Sequence, residues 1–168
     1  KEKNLAIEML KKLLAQHIKK HQKKNLTQAE LFSEMLDKRL AEYLRGMISN
    51  EEVIKELLEM AKLMKQHAEE GNALGLSDEE QAFYDALTRP RAVKDFYENN
   101  QLVAMAREIT DALRKNRTLD WRQKETARAK MRTMIKRLLK KYHYPPEEAQ
   151  NAIEVVMRQC ELWADNEE

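Results

Sequence analysis

Arg122, Lys130, Lys136, Arg137, Lys140 and Lys141 are six cations within twenty residues. On a helical wheel they lie broadly on one side. Trp121, Met131, Met134, Ile135, Leu138, Leu139 and Tyr142 fall opposite them, on an arc of about 140° at about 100° per residue. A helix with this pattern buries one side and shows six cations on the other. Such a face can bind phosphates by displacing counterions, without reading bases. The same face can instead meet an acidic protein, or simply be solvated. Lys124 and Arg128 project onto the apolar arc of that helix, and Arg132 lies at its edge. A cation so placed needs a partner, because burying an unpaired charge is costly. Two readings stand: a structural ion pair with Glu125, Asp120 or an acid of residues 51–70, or an anion pocket entered by Arg128 through bidentate contacts.

Other chemistry-bearing residues point away from catalysis. His17 and His21 have the i, i+4 spacing of a helical metal pair, but Ile18 follows His17 and no third ligand is in view. They read as surface histidines, and no metal site is expected. Cys160 sits on an apolar stripe beside acids, whereas a nucleophilic thiol needs a positive surrounding. Glu51-Glu52 and Glu79-Glu80 sit at helix starts, where they complement the helix dipole. No Gly-rich phosphate loop is present, which argues against nucleotide hydrolysis in this chain. No catalytic residue and no cofactor are expected within these 168 residues.

These side chains must be carried by helices. Three Gly and three Pro, with 36% charged residues and only eighteen Val, Ile and Thr, exclude most all-β and α/β folds. The apolar content of 42% is enough for a core. Periodicity and helix-stop signals give an all-α, compact bundle of six or seven helices. A first helix spans about residues 3–24, with Leu5, Met9, Leu10, Leu13, Leu14 and Ile18 on one stripe. Capping boxes are expected at Thr27/Glu30, Ser49/Glu52 and Ser77/Glu80. Gly46 and Gly71 read as stops. Pro90 ends the fourth segment, one or two turns follow over 91–98, and Asn99-Asn100 reads as a turn. The basic helix runs from an Asp120 cap to about Tyr142, and the last helix starts at Pro145-Pro146.

The net charge of +2 conceals segregation. Residues 1–26 hold eight Lys against two Glu, and residues 114–141 hold twelve Lys and Arg against two acids. Residues 51–85 hold ten acids against three Lys, and residues 147–168 seven acids against one Arg. No run approaches the ~20 apolar residues that span a bilayer, so no membrane is expected. A single cysteine suits a reducing cytoplasm. The first residue is Lys1 rather than Met, so the chain reads as part of a larger protein. Two parts are expected: a basic helix over 1–26 and a helical domain over 27–168.

Three stretches together carry a resemblance. They are Gly75-Leu76-Ser77-Asp78-Glu79-Glu80-Gln81-Ala82-Phe83-Tyr84-Asp85-Ala86-Leu87, then Asp120-Trp121 with Glu125, Arg128, Ala129 and Arg132, and finally Lys136-Arg137-Leu138-Leu139 with Lys141-Tyr142-His143-Tyr144-Pro145-Pro146. In this order they resemble the C-terminal helical domain of the R subunit of type I restriction–modification enzymes, over roughly residues 27–164. The resemblance implies a bacterial, non-catalytic part of an ATP-driven DNA translocase and endonuclease. The nuclease and helicase motifs of that subunit lie upstream, and its ATP and Mg belong to the parent enzyme. It further implies docking of the motor onto the methyltransferase core of M and S subunits, with DNA nearby. The alternative is an autonomous, sequence-independent nucleic-acid-binding helical domain. One departure stands out: the family usually has Gly at position 143, where this chain has His143. A glycine there would end a helix with positive φ, a conformation His tolerates better than most residues.

Overall fold

The computed structural model describes residues 2–116 and 125–166. Eight helices account for nearly all of them, with no strand among the described residues. They are α1 (Glu2–His21), α2 (Leu26–Leu44), α3 (Asn50–Ala73), α4 (Asp78–Thr88), α5 (Arg91–Phe96), α6 (Asn99–Asn116), α7 (Glu125–Lys141) and α8 (Pro146–Asn166). The fold is all-α, with one helix more than the upper expected number. The addition is α5, the short turn after Pro90.

Helix ends follow local chemistry, with three departures from expectation. Ser77 and Glu80 form the full reciprocal capping box, and Ser49 Oγ accepts from the Glu52 N–H. At α2 the cap is Asn25, not Thr27: its side chain accepts from the Gln28 N–H at 3.1 Å. Thr27 lies inside the helix, and its buried Oγ1 has no hydrogen bond. Asn and Thr are both good caps, and the choice is set by Leu26, whose side chain is only 1% exposed. Gly71 does not stop α3. It lies within the helix, buried against Gln81, and the stop comes at Gly75 with φ +72°. Asn99 and Asn100 open α6 rather than forming a turn.

Three helices close with the same hydrogen-bond pattern. After α2, Gly46 N–H donates to Tyr43 O and Met47 N–H to Glu42 O. After α3, Gly75 and Leu76 repeat it on Asn72 and Gly71. After α7, His143 and Tyr144 repeat it on Lys140 and Leu139. Each pair satisfies carbonyls that a helix end leaves free. His143 takes the left-handed position with φ 58°.

The core has two clusters. Helices α1–α3 gather Ile7, Leu14, Ile18, Phe32, Leu36, Val53, Leu57, Met60 and Met64. Helices α4–α8 gather a larger set, including Phe83, Leu87, Met105, Ile109, Met131, Ile135, Leu139 and Met157. Trp163 meets Phe83 edge-to-face at 5.1 Å. Leu5, Met9 and Leu13 depart from the expected stripe, being 63%, 57% and 59% exposed, while Ile7 takes a core position.

A polar junction ties the clusters together. Asp85 Oδ2 accepts from both Asn25 Nδ2 and Gln28 Nε2, each at 2.8 Å. Gln159 Oε1 accepts from the Leu26 N–H at 2.6 Å, while its amide donates to Lys23 O at 3.2 Å. Arg89 and Arg158 both pair with Glu30, at 3.0 and 2.9 Å. The buried side chains of this junction, Asn25, Gln28 and Gln159, are all paired, as buried polar groups must be. Helix α1 packs on α2 and α3, so residues 1–26 share their core cluster with residues of 27–168.

Candidate interaction surface

Helix α7 carries the basic face. Met131, Ile135 and Leu139 are buried beneath it, and Lys130, Lys136, Arg137, Lys140 and Lys141 are exposed. The exposed cations span an arc of about 140° at about 100° per residue. Lys130, Lys136, Arg137 and Lys140 have no ion pair or hydrogen bond among the described residues. Lys141 is engaged: its Nζ lies 2.7 Å from Glu108 Oε1 and 5.6 Å from the Tyr142 ring centroid. The face therefore offers four unpaired cations, with Lys141 at its edge. Arg122 and Lys124, like the expected Asp120 cap and Trp121, lie outside the described residues.

The inward cations are tied to α8. Arg128 Nη2 is 2.6 Å from Glu161 Oε1, and Arg132 Nε is 4.0 Å from Glu154 Oε1. The partners thus come from the last helix, not from Glu125 or α3. Glu154 and Glu161 of α8 thus face α7 of the same chain. Arg128 Nε and Arg132 Nε are buried without a hydrogen bond. The Arg128 contact is charge-assisted, and it sets the register of α7 against α8.

Tyrosines lock the end of the basic helix. Tyr142 OH donates to Glu108, whose carboxylate also accepts from Lys141. The Lys141 and Tyr142 hydrogen bonds hold Glu108 below the usual carboxylate range. The reciprocal effect, chiefly the hydrogen bond to Glu108, pushes the Tyr142 phenol up to about 12. Tyr97 OH donates to Tyr142 O at 2.6 Å, and buried Tyr144 donates to Leu87 O at 2.7 Å. Glu108 and these tyrosines find their partners 33 to 57 residues away, beyond the reach of any local pattern.

His17 is exposed, while His21, expected at the surface, is half-buried. His17 and His21 stack at 6.1 Å, and His21 Nε2 lies 3.1 Å from Gln28 Oε1. Burial holds His21 below its ordinary pKa. No group of three or more metal-ligating side chains occurs among the described residues. Cys160 is buried. No described helix is long and apolar enough to cross a membrane.

The profile of the family described as "Type I restriction enzyme HindI endonuclease subunit-like, C-terminal" matches residues 1–166. The chain belongs to that family. It is 36% identical over 164 residues to the type I restriction enzyme HindI endonuclease subunit of Haemophilus influenzae, a match covering 98% of this chain and 16% of that protein. A protein of Methanocaldococcus jannaschii, named provisionally as the endonuclease subunit of the type I restriction enzyme MjaIXP, is 31% identical over 140 residues. That match covers 83% of this chain and 13% of the relative. The chain therefore spans less than one-fifth of the relatives it matches. No solved structure matches it. The family match extends through α1, further towards the N-terminus than the stretch that carries the sequence resemblance.

Proposed function

We propose that this domain is a non-catalytic part of a type I restriction endonuclease subunit. It docks the DNA-translocating subunit onto the methyltransferase core and touches the DNA backbone beside it. The observation that carries this reading is the exposed face of Lys130, Lys136, Arg137 and Lys140, which are unpaired among the described residues. The helix that carries it is tied to its neighbours by the Arg128–Glu161 pair and the Tyr142–Glu108 hydrogen bond. A fixed row of cations suits phosphates or carboxylates on a partner, and it is indifferent to base sequence. The nuclease and ATP-dependent chemistry belong, in this reading, to the rest of the subunit, whose ATP and Mg this domain does not handle.

The test is deletion from the full-length subunit. Because α1 shares its cluster with α2 and α3, the deletion must remove residues 1–168 together. The expected result is loss of the complex with the methyltransferase M and S subunits on size-exclusion chromatography. A truncated subunit that still assembles normally overturns the docking role.

A further inference from the structure

Helix α1 is apolar on two opposite faces. Ile7, Leu14 and Ile18 point into the core of α1–α3. Leu5, Met9 and Leu13 repeat at four-residue spacing on the reverse face and are more than half exposed. A helix that is apolar on opposing sides is normally buried on both. The corner between α2 and α3 adds Leu44 and Met47, 81% and 68% exposed. That corner lies beside the start of α1, where Tyr43 OH donates to Asn4 Oδ1 at 3.1 Å. Among the described residues, all eight large apolar side chains left exposed lie between residues 5 and 63. None belongs to the described side chains of α4–α8, so the exposure described collects in α1–α3 and the corner between α2 and α3. Concentrated apolar exposure of this kind marks a protein contact.

We propose that this surface, centred on Leu5, Met9 and Leu13, is the seam against the upstream part of the same endonuclease subunit. The family is a C-terminal one, and the matched region is 16% of the Haemophilus relative. The bulk of that relative thus precedes the counterpart of α1, the helix nearest to it along the chain. A second copy is the poorer occupant, because it would bring the excess of Lys over Glu in residues 1–26 against itself. The inference rests on the reading that an endonuclease subunit carries this domain, and not on how that subunit meets the methyltransferase.

Maleimide labelling of the full-length subunit tests it. Cysteine is placed by Met9→Cys or Leu13→Cys, with exposed Asn151→Cys as reference and Lys136→Cys as reporter of docking. In the free subunit, Met9→Cys and Leu13→Cys should label at least ~10-fold more slowly than Asn151→Cys, as expected for side chains in a closed interface. Equal rates overturn the proposal. So does protection that appears only when the methyltransferase is added, or that grows with subunit concentration, since those assign the surface to another partner. As a second readout, Met9→Glu with Leu13→Glu should speed proteolytic release of the domain from the subunit. Unchanged release, with a charge tolerated at both positions, also overturns it. If Met9→Cys is protected in the free subunit while the methyltransferase fails to shield Lys136→Cys, the seam stands and docking through the α7 face falls.

Discussion

Arg128 on α7 and Glu161 on α8 meet at 2.6 Å across 33 residues of sequence, and each side chain is about 30% exposed. The pair joins the basic helix to the acidic one within a single chain. Removing one partner leaves the other half-buried without its counter-charge, which costs more than losing an exposed pair. Glu161→Gln should therefore lower stability by about 1–2 kcal/mol. The urea midpoint of unfolding measures this. DNA affinity should stay within about twofold, because Arg128 points away from the exposed row. A large loss of affinity with unchanged stability would instead make Arg128 part of an anion pocket.

Gly71 lies under Gln81, and a Cβ there would fall 2.1 Å from Gln81 Oε1. Gln81 can swing away, but it then loses the 2.8 Å hydrogen bond from its Nε2 to His67 O. That loss, about 1 kcal/mol, offsets the gain of about 1 kcal/mol from replacing a helical glycine by alanine. Gly71→Ala alone should be nearly neutral in thermal unfolding. In a Gln81→Ala background the same change should stabilise by about 1 kcal/mol. Additive behaviour across the double-mutant cycle would break the argument.

His143 holds a left-handed conformation at φ 58° to close α7. Glycine adopts that conformation without a Cβ clash, so His143→Gly should stabilise by up to about 1 kcal/mol. His143→Val, β-branched, should destabilise by more than that. Differential scanning calorimetry of the two variants should move the midpoint in opposite directions.

The Asp85 carboxyl sits above the usual carboxylate range because burial outweighs the hydrogen bonds from Asn25 and Gln28. As pH rises, the unfolded chain gives up this proton first, so Asp85 lowers stability between its unfolded and folded pKa values and keeps it lowered above them. Acidification through that window restores the contribution. Both hydrogen bonds land on Oδ2, so an asparagine oxygen can accept them. Asp85→Asn should be more stable than wild type at pH 7, with the gap closing near pH 3. Urea titrations at the two pH values would reveal it, and a constant gap would exclude titration of Asp85 as its source.

How far the sequence revealed these features depended on distance along the chain. The Ser77–Glu80 box was readable because both halves lie three residues apart. The left-handed turn at His143 was suggested by the resemblance alone, since His143 itself carries no local stop signal. Asn25 and Thr27 are both competent caps, and the Asn25 cap goes with a buried Leu26 whose N–H donates to Gln159 of α8. Gly71 looked like a stop because its reason for being glycine is Gln81 on another helix. For α1, Leu5, Met9 and Leu13 share the helical spacing of true core residues, so periodicity could not separate the two faces. The wheel of α7 placed Arg128 on the inner side, yet Glu161 is visible as its partner only after α8 has packed.

Lys130, Lys136, Arg137 and Lys140 make the sharpest quantitative claim, since none of them is paired among the described residues. If all four neutralise phosphates, log affinity for duplex DNA should fall with log salt at a slope of about −3.6. Between 50 and 200 mM salt that amounts to a loss of about 100-fold. Reversing the four charges with Lys130→Glu, Lys136→Glu, Arg137→Glu and Lys140→Glu should remove most of this binding and flatten the slope. Because these side chains are exposed, the circular dichroism spectrum should stay unchanged. Fluorescence anisotropy on two unrelated duplex sequences should give the same affinity, as a backbone contact requires. Affinity that ignores salt, or that survives charge reversal, would remove DNA from the role of this face. The methyltransferase pull-down repeated with the same variant would then show whether an acidic protein surface takes the place of the phosphates.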